Sequence, residues 1–253
     1  KTTRILANIS ARLSGIIPKR IICCAEEALW VHSEMGYKKL KMTVIANGYD
    51  ISLFKPCDKL RLSLRDELNL NLKTIILGMV GRFHPQKNHI GLLKALSIVK
   101  KLDYDFKFLL IGRDLNYDNL ILESEIKRQN LESNILLLNQ RSDMPAVMNA
   151  LDINVLSSSS GEGFPNVLAE AMACGTPCVT TNIGDAALIV DDTGWVSPPN
   201  DPIGLSNAII EAIEERSNDE ESWVLRKKNC RDRIVQNFSL DKMLENYHLV
   251  WDL

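Results

Sequence analysis

The feature that most constrains the fold is the alternation of short apolar runs with amphipathic segments from residue 74 onward. The apolar runs predict buried strands at Ile75–Val80, Phe106–Ile111, Ile135–Leu138 and Ile153–Leu156. Helical patterns lie between them at Asn88–Leu102, Tyr117–Gln129 and Met144–Ala150. Strands that are separated by helices run parallel, with helices covering both faces of the sheet. The sequence therefore predicts an α/β fold with a doubly wound, Rossmann-like parallel sheet.

Shorter patterns lie on either side of this region. On the amino-terminal side we predict a strand over Arg20–Ala25, a helix over Glu26–Met35 and a strand over Val44–Ala46. On the carboxyl side come apolar segments at Pro177–Thr181 and Ala187–Val190, then helices at Pro202–Arg216, about Trp223–Gln236 and Leu240–Trp251. These elements extend the α/β pattern towards both ends of the chain.

Residues 1–17 form an amphipathic helical pattern. Their apolar positions, Ile5, Ile9, Leu13 and Ile16, fall on one stripe, with arginines outside it. A basic amphipathic helix either packs on its own domain or lies on a membrane face. Because the segment is short, we expect it to pack on its own domain.

Composition narrows the classes of function. The 253 residues include 30 Lys and Arg against 32 Asp and Glu, and this net charge of −2 argues against nucleic-acid binding. No apolar stretch reaches the roughly 18 residues needed to cross a bilayer, and no segment resembles a signal peptide. The six cysteines are scattered and lack metal-ligand spacing. Because such thiols stay reduced in the cytoplasm, we expect a cytoplasmic protein, with a place at the inner membrane face left open.

The densest motif is the glycine-rich stretch from Ser157 to Gly175. The strand before it ends in four serines and a glycine, which predicts a tight loop. Pro165 and Gly175 then bound a short Ala- and Leu-rich helix. A helix that starts from such a loop presents unpaired backbone amides and the positive end of its dipole. The stretch is therefore predicted to bind an anion.

Two carboxylates lie eight positions apart in this stretch, Glu162 in the loop and Glu170 on the helix. Helical periodicity turns Phe164 towards the core and turns Asn166 and Glu170 away from it. A carboxylate accepts hydrogen bonds in pairs, so each glutamate suits the vicinal hydroxyls of a sugar or a ribose. The alternative is a solvated helix that carries two ordinary surface glutamates.

A basic pair, Arg82 and Lys87, follows the strand over Ile75–Val80. Ligands of open α/β sheets bind beyond the carboxyl ends of the strands, so both side chains lie where a ligand would be. Arginine offers phosphate oxygens a planar fork, and lysine offers a point charge. Arg141 follows the strand over Ile135–Leu138 in the same way. Taken alone, each of these residues also fits an ordinary surface loop.

Together these motifs resemble those of a known enzyme family. Residues 161–177, Gly-Glu-Gly-Phe-Pro-Asn-Val-Leu-Ala-Glu-Ala-Met-Ala-Cys-Gly-Thr-Pro, resemble the Glu-x7-Glu motif of the retaining family-4 glycosyltransferases, or glycosyl transferases group 1, of the two-domain GT-B fold. Gly81-Arg82-x4-Lys87 is similar to the family's diphosphate clamp. Asn47-Gly-Tyr-Asp, followed by Phe54 and Pro56, is similar to the hinge between its two domains.

The resemblance implies an enzyme that moves a sugar from a UDP- or GDP-sugar to a hydroxyl of a saccharide, lipid or protein acceptor. It implies retention at the anomeric carbon and no metal or other cofactor. Arg82 and Lys87 would stabilise the leaving diphosphate, Glu162 would contact the transferred sugar, and Glu170 would hold the ribose. Arg82, Lys87 and Glu162 are therefore the expected catalytic residues. The other expected contacts with the donor are Gly81, Arg141, Gly163, Phe164, Asn166 and Val167, with Arg141 contacting the base through its main chain.

The resemblance also divides the chain. It implies that residues 1–50 are a remnant of the amino-terminal, acceptor-side domain with the hinge. Residues 51–237 would be the nucleotide-sugar-binding domain, and 238–253 a helix that returns to the amino-terminal half. The chain begins where a family member would be finishing its first domain, so we expect it to bind UDP or GDP but to transfer sugar poorly. Any peripheral contact with a membrane would then depend on the remainder of the amino-terminal domain.

Alternatives stay open at this point. One is an isolated nucleotide-sugar-binding module, and another is a different GT-B enzyme, such as a sugar-nucleotide epimerase or a phosphorylase. Asp103-Tyr104-Asp105 matches the metal motif of another glycosyltransferase fold, but it precedes a predicted strand, so we expect it at the wrong edge of the sheet. Many relatives carry Gly-Gly-x-x-Glu where this chain has Gly184-Asp185-Ala-Ala-Leu188, which leaves the sugar and acceptor preference open.

Overall fold

Parallel strands alternate with helices along the chain. The computed structural model describes residues 2–251. The strands are β1 (Ile21–Cys23), β2 (Met42–Val44), β3 (Ile76–Val80), β4 (Lys107–Ile111), β5 (Ile135–Leu137), β6 (Ile153–Leu156), β7 (Cys178–Thr181) and β8 (Trp195–Ser197). The helices are α1 (Thr2–Leu13), α2 (Glu26–Glu34), α3 (Asp58–Glu67), α4 (His89–Lys101), α5 (Leu120–Arg128), α6 (Met144–Ala150), α7 (Asn166–Ala173), α8 (Ala186–Val190), α9 (Pro202–Asn218), α10 (Glu220–Asn237) and α11 (Leu240–Trp251). Short 3-10 turns lie at Lys39–Lys41, Pro85–Lys87 and Asp191–Thr193.

The central sheet of the described residues holds six parallel strands in the order β5-β4-β3-β6-β7-β8. From β3 the chain moves outward through β4 to β5 and then returns to place β6 on the other side of β3, where Leu77 is paired with Ile153. The direction of winding therefore reverses between β3 and β6. The loops that leave these two strands flank a crevice, which is where open α/β sheets bind their ligands.

Helices bury both faces of this sheet. Within β3, Leu77 and Met79 belong to the larger apolar cluster, which also receives α4, α7 and α9. Ile76 belongs to the smaller cluster, together with Leu64 of α3 and Val147 of α6. Because the strands are covered on both sides, their apolar runs are continuous rather than alternating. This arrangement confirms the predicted doubly wound α/β sheet.

A buried ion cluster holds the amino-terminal edge of the sheet. The Asp152 carboxylate, immediately before β6, lies 2.6 Å from the Arg61 guanidinium and 2.8 Å from that of Arg65. It also accepts a hydrogen bond from the Ile76 amide at the start of β3. Burial opposes the ionisation of Asp152, but the two arginines outweigh it and keep the pKa of this carboxyl below its ordinary value. The cluster ties α3 to two central strands at the edge opposite the crevice.

Some elements differ from the sequence-based expectations. α3 and β8 were not predicted, because α3 is largely polar and buries only Leu64 and Arg65, while β8 has three residues. The apolar segment at Ala187–Val190, which was not assigned to an element type, belongs to a short helix.

The expectation that α1 packs on its own domain is also wrong for the described residues. Its apolar stripe is largely exposed: Ile5 is 59% and Ile9 50% accessible to solvent. Among residues 5–13 of this helix, whose burial the structure describes, Ala11 in the last turn is the one that is buried.

Candidate functional site

Two loops line the crevice between β3 and β6. Residues 81–88 follow β3, and residues 157–165 follow β6 and lead into α7. The Ser159 amide donates to the Gln86 carbonyl at 2.8 Å, and the Ser157 hydroxyl donates to the Lys87 carbonyl at 2.8 Å. Gly161 lies beside Gln86 of the other loop and has a φ of +72°, a backbone conformation that favours glycine. The two loops thus form one structural unit.

An ion pair joins the loops. Lys87 Nζ lies 2.6 Å from Glu162 Oε1, and both side chains are mostly buried, at 21% and 12% exposure. The Ser158 hydroxyl donates to the same carboxylate oxygen at 2.5 Å. The structure therefore brings together two of the three residues predicted to serve catalysis. The contribution of Ser158 had no signal in the sequence beyond its place in a run of serines.

Three arginines surround a cleft of about 240 Å³ beyond the ends of β3 and β4. Arg82 is exposed and has no ion pair or hydrogen bond among the described residues. The Arg141 guanidinium, by contrast, is bound by Asp143 and Glu67. Hydrogen bonds to these two carboxylates raise the pKa of Arg141 above its ordinary value. Its side chain is therefore already occupied, which is compatible with a contact through its main chain only. Arg113, the third arginine, lines the same cleft although no role was predicted for it.

The first turn of α7 faces the crevice. Phe164 before the helix is buried and Asn166 at its start is exposed, as the periodicity predicts. The amides of Asn166 and Val167 have no acceptor among the described residues. Pro165, which precedes them, has no N–H to offer. Two backbone donors and the positive end of the helix dipole are therefore available to an anion.

Glu170 lies one turn further along α7. Burial raises the pKa of its carboxyl above the ordinary value of 4.5. No hydrogen-bond partner of this side chain lies within the described part of the chain. The Glu170 carboxylate is thus partly desolvated, lies next to the crevice, and has no partner among the described residues.

A third loop, after β7, supports the first two. Gly184 has a φ of +59°, and a Cβ there would lie 2.4 Å from the Glu162 carbonyl oxygen. The Asp185 amide donates to the Gly163 carbonyl at 2.9 Å. The Asp185 carboxylate accepts from the amides of Glu26 at 2.7 Å and Glu27 at 3.1 Å, the first two residues of α2. Asp185 therefore caps α2 and fixes it to the loop that carries Glu162.

The same loop continues from Gly184 to Leu188. Asp185 holds α2 in place through the two amides that it accepts. Leu188 is 46% exposed and lines a groove with Trp30. The loop therefore presents an apolar side chain to this groove.

A larger cleft of about 600 Å³ opens between α2 and the loops. Its wall on the α2 side includes Glu27, Val31 and His32, and its floor includes Glu162 and Asn182. The His32 Nδ1 lies 2.6 Å from the Ala28 carbonyl oxygen. Since a carbonyl only accepts, Nδ1 is the donor in this contact and Nε2 is left to face the cleft side of the ring. The cleft is lined by both polar and apolar groups, and Glu162 lies in its lining.

The Asp-x-Asp motif lies away from this site. Asp103 and Asp105 belong to the turn between α4 and β4, at the amino edge of the sheet, whereas the crevice is at the carboxyl edge. Asp103 has a φ of +62°, as expected for an aspartate in a tight turn. Between residues 2 and 251, no three His, Cys, Asp or Glu side chains are grouped so that they could hold a metal ion. No helix in the same range combines the length and the apolar character needed to cross a membrane.

The fold and the site define a doubly wound α/β protein whose crevice is flanked by basic side chains and free backbone amides. Residues 61–229 match the family described as glycosyl transferases group 1. The UDP-Gal:α-D-GlcNAc-diphosphoundecaprenol α-1,3-galactosyltransferase of Escherichia coli is 30% identical over 237 residues, which are 89% of this chain and 58% of that protein. The capsular polysaccharide biosynthesis glycosyltransferase CapM of Staphylococcus aureus is 28% identical over 239 residues, 88% of this chain and 60% of that protein. The chain belongs to the glycosyl transferases group 1 family, and it spans about three-fifths of these curated relatives.

Solved structures give the same fold. The structure of Anabaena HepE in complex with UDP superimposes with a TM-score of 0.88 at 24% identity, covering 99% of this chain and 68% of that chain. A glycosyltransferase from Rickettsia africae superimposes with a TM-score of 0.86 at 22% identity, covering 96% of this chain and 66% of that one. These likenesses confirm the predicted GT-B architecture.

Proposed function

We propose that this chain is the donor-binding half of a glycosyltransferase that moves a sugar from a nucleotide-diphosphate sugar to an acceptor hydroxyl, with retention at the anomeric carbon. The observation that supports this most directly is the contact between Lys87 and Glu162 across the crevice, beside the first turn of α7. This places a cation, a carboxylate and free backbone amides around one space. A diphosphate that carries a sugar needs this combination of groups.

In this proposal the diphosphate lies between Arg82, Lys87 and the amides of Asn166 and Val167. The phosphates compete with Glu162 for the Lys87 ammonium. Arg82 has no carboxylate partner among the described residues, so it can bind a phosphate without breaking an ion pair. As the bond to the sugar breaks, negative charge grows on the leaving diphosphate, and these fixed donors stabilise it. The Lys87 stem passes beside Gly81, where an added Cβ would lie 3.4 Å from it, an ordinary contact distance.

The sugar occupies the start of the larger cleft, next to Glu162. Once Lys87 turns to the phosphates, the Glu162 carboxylate is free to accept hydrogen bonds from sugar hydroxyls, while Ser158 continues to orient it. Glu170, one turn along α7, accepts from the ribose hydroxyls in the same way. Gly163 and Phe164 set the backbone of this turn, and Arg141 meets the base through its main chain.

Relatives favour a uridine donor and a lipid-linked acceptor. The E. coli relative is named for UDP-Gal and for α-D-GlcNAc-diphosphoundecaprenol, and Anabaena HepE was solved with UDP and glucose. We therefore propose UDP-sugar ahead of GDP-sugar. We also propose a cytoplasmic location, on the ground of the six scattered thiols.

Transfer is proposed to need no metal. The cations Arg82 and Lys87 stand where a divalent ion would otherwise offset the diphosphate charge. The aspartates of the Asp-x-Asp motif lie at the opposite edge of the sheet. Addition of EDTA should therefore leave donor binding unchanged.

The experiment is a calorimetric titration of the chain with UDP, GDP and their sugar conjugates, with EDTA and then with Mg²⁺. We expect UDP and UDP-sugars to bind, with equal affinity under both conditions. Failure of both nucleotides to bind would reject the proposed function, and binding only with Mg²⁺ would reject metal independence. Retention would be tested by NMR of the product, whose new linkage should keep the anomeric configuration of the donor.

A further inference from the structure

The segment Asn47–Tyr49 lies directly against the first turn of α7. The Tyr49 hydroxyl donates to Asn166 Oδ1 at 2.5 Å, and Asn47 Nδ2 donates to the same oxygen at 2.9 Å. A carbonyl oxygen has two lone pairs, so these two bonds fill its capacity. They also fix which end of the Asn166 amide faces the segment. The Asn166 NH₂ group is left to donate, and it has no acceptor among the described residues.

The same segment is held rigidly from its other side. The Tyr49 amide donates to the Phe238 carbonyl at 2.9 Å, and the Leu240 amide donates to the Tyr49 carbonyl at 2.9 Å. A Cβ on Gly48 would lie 2.7 Å from that of Met243, so the segment and the start of α11 are in close contact. The segment is therefore fixed by the junction of α10 and α11.

The aromatic ring of Tyr49 is buried and belongs to the core. It stacks with Phe164 at 6.2 Å between ring centroids, and Phe164 in turn meets Phe238 edge-on at 5.4 Å. Because the ring is held by these contacts, the position of the hydroxyl is set independently of Asn166. The hydroxyl can therefore orient Asn166 rather than follow it.

We propose that Tyr49 is a positioning residue for the nucleotide diphosphate, acting through the side-chain amide of Asn166. With its oxygen occupied, the Asn166 amide can only donate towards the crevice, which suits a phosphate oxygen beside the free backbone amides of α7. The inference rests on the proposed function, because the ligand is the diphosphate of the donor. It adds that the segment resembling an interdomain hinge takes part in binding that diphosphate.

The test is a double-mutant cycle on UDP binding, measured by calorimetry. Tyr49→Phe removes the hydroxyl and keeps the ring, and we expect it to weaken UDP binding by about 2- to 10-fold, the effect of one hydrogen bond. In an Asn166→Ala background, Tyr49→Phe should cause no further loss. The matched control is Tyr104→Phe, which removes a hydroxyl that bonds Glu214 at the far edge of the sheet and should leave UDP affinity unchanged.

A second readout separates positioning from a structural role. Competition by uridine, which lacks the diphosphate, should be the same in the wild type and in Tyr49→Phe, whereas pyrophosphate should compete less well in the variant. The inference is overturned if Tyr49→Phe binds UDP as tightly as the wild type does. It is also overturned if Tyr49→Phe weakens UDP binding as much in the Asn166→Ala background as in the wild type, or if the substitution weakens the binding of uridine as much as that of UDP. If Lys87→Ala weakens UDP binding and Tyr49→Phe does not, only this inference fails. If the wild type binds neither UDP nor GDP, both this inference and the proposed function fail.

Discussion

Lys87 Nζ lies 2.6 Å from Glu162 Oε1, so the loops that leave β3 and β6 meet through an ion pair at the point where the sheet reverses its winding. The two residues are 75 positions apart in the chain. Their mutual attraction holds both side chains in the crevice before any ligand arrives. A bound diphosphate would replace the carboxylate at the ammonium without requiring a new arrangement of the loops. The pair therefore preorganises the site and keeps both charges partly desolvated.

The first prediction concerns Lys87. In Lys87→Ala we expect UDP affinity to fall by roughly 10- to 150-fold, since a hydrogen bond to a charged group contributes about 1.5–3 kcal/mol. Calorimetric titration would measure the change. Lys127→Ala is a matched control, because Lys127 also lies 2.6 Å from a glutamate, Glu123, but on the exposed surface of α5. An equal effect of the two substitutions would mean that Lys87 does not contact the diphosphate.

The second prediction compares two arginines of one cleft. Arg82 has no bonded partner among the described residues, whereas Glu67 and Asp143 bind Arg141. Arg82→Ala should therefore weaken UDP binding by about tenfold or more. Arg141→Ala should leave UDP affinity nearly unchanged and lower the free energy of unfolding by no more than about 1 kcal/mol, as is usual for partly exposed pairs. The reverse order of effects in titration and denaturation would assign the phosphate to Arg141.

The third prediction concerns the loop after β7. In Gly184→Ala the new methyl group would meet the Glu162 carbonyl at 2.4 Å, and alanine at a φ of +59° is strained as well. We expect loss of UDP-sugar binding, because the turn carrying Glu162 must move. Gly36→Ala is the control: its φ is +93°, but nothing lies within 4 Å of the added carbon. It should lower stability by about 1–2 kcal/mol and leave binding intact. Binding by Gly184→Ala that equals that of Gly36→Ala would contradict the proposed support of Glu162.

Much of this fold could be predicted from the sequence, because buried parallel strands leave continuous apolar runs. The strand at Ile153–Leu156 and the helix at Leu240–Trp251 have the bounds that periodicity indicates. Elements without a strong apolar pattern escaped prediction. In α3, Arg65 is buried and paired with Asp152. No periodicity rule expects a buried arginine to hold a helix in the core.

The candidate site was likewise predictable in part. Glycines and charges within single loops indicated Lys87 and Glu162 as functional residues, and the structure brings them together. Contacts between distant segments could not be read from local patterns. The Asp185 cap on α2 spans 159 positions, and the Tyr49–Asn166 bond spans 117. Such pairs depend on how the segments pack, which a single sequence does not state.

The final prediction concerns Glu170 and pH. Burial raises the pKa of this carboxyl above its ordinary value of 4.5, so the folded chain holds this proton up to a higher pH than the unfolded chain does. The stability of the folded state therefore falls as pH rises from the unfolded pKa through the raised folded pKa, and the loss is complete above it. Glu170→Gln removes this titration. We expect the variant to unfold at higher denaturant concentration than the wild type at pH 7, with a difference that disappears towards pH 4.

Nucleotide binding should change in the opposite direction at the same residue. In the proposed complex the ionised carboxylate would accept hydrogen bonds from two ribose hydroxyls, so Glu170→Gln should bind UDP more weakly although it is more stable. As pH falls and the wild-type carboxyl is protonated, the affinities of the two proteins should converge. Glu125→Gln is the control, since its hydrogen bond to Arg128 lowers the pKa of Glu125 and the substitution should reduce stability at pH 7. A stability gain with unchanged UDP affinity in Glu170→Gln would mean that this buried carboxylate does not hold the ribose.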